Sequence, residues 1–281
     1  MTTTANASVL APVSADGDRG FGGMTARGRY AVGDAMAMTW RNLLTILRLP
    51  QLMVFATVQP TLFVLMFRYV FGGAIALRAP GLPYVDYLMP GIFVQTAVFG
   101  AMSTGIGLAE DVNKGLIERF RSLPMARSAV LVGRTAADSV RNVFVVILMA
   151  VIGFLVGFRI HGGVARFLFG MVILLLFAHA LSWVIAAIGL SVPNAETAQA
   201  AAFPLIVPLV FASSAFVEVS SMPGWLQVFA RHQPVTITID AVRHLVLGTP
   251  VGWSVVASIL WSLGIIAVFA PLAVRQYRRV A

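Results

Sequence analysis

The longest stretch in which charged residues recur between apolar runs is EDVNKGLIERFRSLPMARSAVLVGR, Glu110 to Arg134, with five basic and three acidic residues. Val112, Leu116, Phe120 and Leu123 recur at helical spacing, while Glu110, Asp111, Lys114, Glu118, Arg119 and Arg121 fall on other faces, and Pro124 ends the turn. Such a short amphipathic helix does one of two things. It anchors the apolar spans on either side at an interface, or it couples them to a partner that supplies complementary charge.

Other chemistries are missing from the sequence. Lys114 is the only lysine and is followed by Gly115, so no G-x-x-x-x-G-K-[ST] phosphate loop exists and the chain has no P-loop of its own. His161, His179, His232 and His244 lack metal-ligand spacing, there is no cysteine, and no G-x-S-x-G elbow occurs. The uncharged Gln59, Gln95, Ser103, Thr104, Ser182, Gln199, Ser213 and Ser214 fit hydrogen bonds between helices. The eleven carboxylates are expected outside the centres of the spans, which argues against a proton-coupled carrier. Arg68, near the end of the first span, fits a side chain that snorkels outward beside Tyr69.

The elements that must position these residues are set by composition. Hydrophobic residues make up 59% and charged ones 11% of 281 positions, more apolar surface than a soluble domain buries. The net charge of +9 sits beside apolar runs and fits lipid headgroups and topology, not nucleic acid. Apolar runs at Leu49–Phe67, Tyr87–Ala109, Asn142–Phe158, Phe167–Ala195, Thr197–Val217 and Leu245–Val274 approach the roughly 20 residues that cross a bilayer core. Between the fourth and fifth, Ser191, Val192, Pro193, Asn194 and Glu196 predict a short turn.

The expected fold is therefore all-α, a polytopic membrane protein with six transmembrane helices. Fourteen of the twenty basic residues lie before the first span, between the second and third, or at the C-terminus, which predicts cytoplasmic termini and a cytoplasmic Glu110–Arg134 segment. Residues 1–28 read as a disordered cytoplasmic tail and 29–281 as the transmembrane domain. Met36, Leu43, Leu44 and Leu47 predict an interfacial helix within Tyr30–Arg48. Val219–Gly248 predicts short outer-face helices broken at Pro223, Gly224, Gln233 and Pro234.

LMPGIFVQTAVFGAMSTGIGLAEDVNKGLIERFRSLPMARSAVLVGRTAADSVRN (Leu88–Asn142) and SSAFVEVSSMPGWLQVFARHQPVTITIDAVRHLVLG (Ser213–Gly248) resemble the membrane subunits of ABC-2 type exporters, the daunorubicin/doxorubicin-resistance permease group. The resemblance runs over about Ala31–Arg279 and implies a drug or lipid exporter in the cell membrane. It implies two permease subunits, alike or different, with ATP and Mg bound by separate ATPase subunits and no cofactor in this chain. It also implies that Glu110, Asp111, Gly115, Glu118, Arg119, Phe120, Arg121, Ser122, Leu123 and Pro124 form a coupling helix that fits the ATPase groove. In the family the pathway involves spans one, two and five, which nominates Gln59, Gln95 and Phe211 as lining residues. The alternative is a secondary transporter or channel working without ATP.

Overall fold

Two apolar helices packed face to face, glycine against glycine, form the centre of the molecule. The structure, a computed structural model, describes residues 33, 36–44, 50–72, 82–115 and 127–280. Its helices are α1 (Pro50–Leu65, continued by a π-helical turn Met66–Phe71), α2 (Tyr84–Asn113), α3 (Arg127–Val156) and α4 (Val164–Gly189). These are followed by α5 (Ala195–Phe211), α6 (Gly224–His232), α7 (Pro234–Leu247) and α8 (Trp253–Val280). Among the described residues there is no strand.

Helices α2 and α4 are central: α2 packs on α3, α4, α5 and α7, and α4 on α2, α7 and α8. Their contact is tight around Gly105 and Gly189: a Cβ on Gly189 would overlap the Gly105 backbone, and one on Gly105 would overlap the backbone and side chain of Ile185. In lipid, association relies on such close backbone approach, because hydrocarbon offers no hydrophobic drive between helices. Helices α3 and α8 are peripheral and turn Phe144, Ile147, Val151 and Leu155, or Val256, Leu260, Leu263 and Val268, outward. Apolar side chains on such faces suit a hydrocarbon solvent.

Among the described residues, four helices are long and apolar enough to cross a membrane: α2, α3 from Leu131, α4 and α8 to Arg279. The apolar helices Thr57–Phe71 and Ala195–Phe211 are shorter. At about 1.5 Å per residue, the 17 residues of α5 reach about 25 Å, short of a hydrocarbon core of about 30 Å.

Several expected boundaries move. Helix α3 starts at Arg127, not at Asn142, because Arg134, Asp138 and Arg141 are spaced to share one face. A search for charge-free runs discards that half of the helix. Asp138 is consequently buried within a candidate span, in its first third and away from its centre.

The run Leu245–Val274 is also divided. α7 ends at Leu247, Gly248 adopts φ +73, and α8 begins at Trp253. Only a residue without a Cβ takes that left-handed turn cheaply, and hydropathy does not register it.

Other expectations match. The turn between α4 and α5 falls where predicted, with Asn194 Oδ1 accepting from Thr197 N at 2.8 Å to cap α5. The breaks at Pro223/Gly224 and Gln233/Pro234 bound α6 and α7. Residues 36–44 are helical, with Met38 and Asn42 buried and Met36 and Trp40 exposed; apart from Gly33, the remainder of Tyr30–Arg48, Leu47 included, lies outside the described residues, as do 1–28.

Gly105→Val should push α2 and α4 apart, at a cost of roughly 1–3 kcal/mol. A fall in the melting temperature of the detergent-extracted chain would register it, and an unchanged value would mean that Gly105 is not tightly packed against Ile185 of α4.

Candidate functional site

The base of the Glu110–Arg134 segment is a ladder of alternating charges between α2 and α3. Asp111 accepts from Arg134 Nη1 at 3.3 Å, Arg134 Nε lies 3.7 Å from Asp138 Oδ2, and Arg141 Nη1 lies 3.6 Å from Asp138 Oδ1. From α2, Thr104 Oγ1 donates to Asp138 Oδ2 at 2.7 Å and Ser103 Oγ donates to Oδ1 at 3.3 Å. Arg141 also donates to the Gly100 carbonyl. Two acids and two bases leave no net charge, as a low-dielectric setting requires.

The sequence makes room for this ladder. A Cβ on Gly107 would collide with the Arg134 guanidinium, and one on Gly100 with the Asn142 amide. Helix α2 then ends: the Lys114 N–H donates to the Glu110 carbonyl, and Gly115 takes φ +64 with its N–H donating to the Val112 carbonyl at 3.0 Å. Lys114 pairs with Glu110 at 2.6 Å on the surface, and that hydrogen bond and charge hold its ammonium pKa above the ordinary value.

Of the implied coupling residues, Glu110, Asp111 and Gly115 thus form the exit from α2. Glu118, Arg119, Phe120, Arg121, Ser122, Leu123 and Pro124 lie outside the described residues. Asp138 and its partners Thr104, Arg134 and Arg141 were not singled out as a site from the sequence. The signal was present as Arg134-x-x-x-Asp138-x-x-Arg141, spaced to place all three on one helical face.

A second polar cluster fastens the other end of α2. Arg243 of α7 lies over the Tyr87 ring at 3.8 Å, donates to Asp240 at 2.8 Å, and donates to the carbonyls of Ser214 at 2.6 Å and Tyr87 at 3.2 Å. Tyr84 Oη donates to the Phe216 carbonyl at 2.9 Å, and Gln233 Nε2 to that of Ala212 at 2.6 Å. These bonds satisfy the carbonyls released where α5 ends, so an irregular segment can sit inside the bundle. Asp86 accepts from the Arg159 backbone N–H at 2.9 Å at the same end.

Of the nominated pathway residues, two are exposed and one is buried. Gln59 on α1 and Phe211 at the end of α5 are exposed, and Phe211 joins an aromatic group with Phe63 at 6.2 Å and Phe216 at 5.5 Å. Gln95 is buried in α2, and among the described residues its Oε1 has no partner. His179 has a structural place. Trp183 Nε1 donates to its Nε2 at 3.2 Å, which leaves Nδ1–H to donate to Ser139 Oγ at 2.9 Å while Ser139 donates to the Thr135 carbonyl.

Removing Asp138 would leave buried Arg141 without an anion and Arg134 with Asp111 alone. Asp138→Ala should destabilise the extracted chain by about 3–5 kcal/mol, read as a large fall in melting temperature; a shift within experimental scatter would show that the ladder is not held.

The profile of the ABC-2 type transporter family matches residues 34–247. A daunorubicin resistance ABC transporter permease protein of Streptomyces coeruleorubidus is 34% identical over 248 residues, covering 88% of this chain and 87% of its own. A probable doxorubicin resistance ABC transporter permease protein of Mycobacterium tuberculosis is 28% identical over 285 residues, covering 100% of this chain and 99% of its own. A putative transport permease of Porphyra purpurea is 23% identical over 226 residues, covering 80% and 77%. With its long apolar helices, the chain is a multi-pass membrane protein that belongs to the ABC-2 type transporter family.

Proposed function

We propose that the chain is the membrane-spanning subunit of an ATP-driven exporter that moves an amphipathic or hydrophobic compound, a drug or a lipid, out of the cell. A separate ATPase subunit binds ATP and Mg. Helices α1 and α5 complete six spans, both termini and the 110–134 segment are cytoplasmic, residues 1–28 form a tail, and a second permease subunit, alike or different, completes the pathway in the cell membrane. The observation that carries the reading is the Asp111–Arg134 pair, which bridges α2 and α3 where the 116–126 segment leaves them.

Such a bridge makes the segment a lever. A push from the ATPase on residues 116–126 reaches α2 and α3 together, because the charge ladder keeps them from sliding apart. The helices would then tilt as rigid bodies and change access to the pathway.

Asp138 does not support a proton-coupled carrier, since two guanidinium groups and two hydroxyls from α2 and α3 already occupy its two oxygens.

Co-expression with the ATPase of the same transport system tests the reading. The wild-type chain should co-purify with it and stimulate drug-dependent ATP hydrolysis. Glu118→Ala with Arg119→Ala should weaken both severalfold while leaving membrane insertion intact. Undiminished co-purification and hydrolysis in that double variant would remove the docking role.

A further inference from the structure

The cations Arg134, Arg141 and Arg243 each lie 2.8 to 3.7 Å from a carboxylate oxygen. Arg68 differs from all three. It is partly buried on the π-helical turn Met66–Phe71, at the end of α1 nearest Tyr84 and Phe216. Among the described residues no carboxylate is in ion-pair reach of it, and its buried Nε has no hydrogen-bond partner. The Tyr69 ring, 5.9 Å from the guanidinium carbon, is its neighbour. The following stretch GAIALRAPG, residues 73–81, contains no acidic residue.

A guanidinium N–H withdrawn from water without an acceptor is costly, and an anion relieves that cost. π-Helical turns, which interrupt regular helix hydrogen bonding, are frequent at functional sites.

A second copy of the chain cannot supply the anion through the faces of α1 and α5. Residues 50–72 contain no carboxylate, and the only one on α5 is Glu196, in its first turn, at the opposite end from Phe211. What α1 does offer beside Arg68 is an exposed apolar stripe of Leu62, Leu65, Met66 and Tyr69. Behind it, Phe67 is stacked on Phe216 at 4.4 Å.

We propose that Arg68 and this stripe form a binding site for an anionic amphiphile, with a phosphate or carboxylate headgroup on the guanidinium and the apolar chain along α1. The site stands on the geometry of this chain alone. Assigning its ligand as transported cargo, instead of a resident lipid, rests on the export reading.

The test has two arms. In the first, the purified full-length chain in detergent binds fluorescent phosphatidylglycerol or phosphatidylcholine with the same acyl chains. The wild type should prefer the acidic lipid by about tenfold, the size of a charged hydrogen bond. Arg68→Gln should abolish the preference, and Arg68→Lys should keep most of it, which separates loss of charge from loss of folding. A preference unchanged in Arg68→Gln, or none in the wild type, overturns the proposal.

The second arm follows ATP-dependent movement of labelled phosphatidylglycerol between leaflets by the complex with its ATPase. Movement that Arg68→Gln removes identifies the ligand as cargo. Absence of movement, with the Arg68-dependent preference intact, identifies a resident lipid and upholds the site. A failed export reading appears in the second arm alone.

Discussion

Charge inside an apolar bundle must be neutralised within the bundle, and the ladder Asp111–Arg134–Asp138–Arg141 does this where α2 meets α3. The constraint is severe because isolated charges lose far more solvation in a low-dielectric setting than a loose pairing returns. Geometry must therefore be held from both helices. Thr104 and Ser103 supply the hydroxyls, and Gly107 supplies the space for Arg134. Two helices joined in this way shift together or not at all, which is what a lever driven from one end needs.

Opposite requirements meet at the two ends of α2. At the Glu110 end the chain leaves the helix through the left-handed Gly115, and the charged pairs gather beside that exit. At the Tyr84 end, α7 and the 212–217 segment pack into the bundle, and Arg243 with Tyr84 and Gln233 takes up carbonyls that the end of α5 leaves free. One end is where the charged pairs gather, while at the other α7 packs into the bundle.

How much was legible in the sequence depended on the kind of signal. The turn at Ser191–Asn194 and the breaks at Pro223 and Gln233 were readable because Pro, Gly and Asn act locally on the backbone. Charge-free runs located the cores of α2 and α4, which are buried on nearly all sides. They failed at Arg127–Arg141, where burial is paired and depends on a partner helix that hydropathy cannot see. They failed again at Gly248, where a single backbone conformation divides one long apolar run into α7 and α8. Thr104 and Asp138 are 34 residues apart in sequence, and only the α2–α3 pairing brings them together. Glu118 to Pro124, implied by the resemblance as the docking surface, remain an assignment from sequence.

The most direct measurement is the amount of cargo moved per ATP hydrolysed, in vesicles holding the complex of this chain with its ATPase, compared between wild type and Arg134→Gln. That substitution opens the clasp at the neck of the coupling segment while leaving Asp138 paired with Arg141 and Thr104. The account predicts an assembled complex that still hydrolyses ATP but moves several times less cargo per ATP. A wild-type ratio in the variant, or transport by the chain alone without ATP, would contradict it.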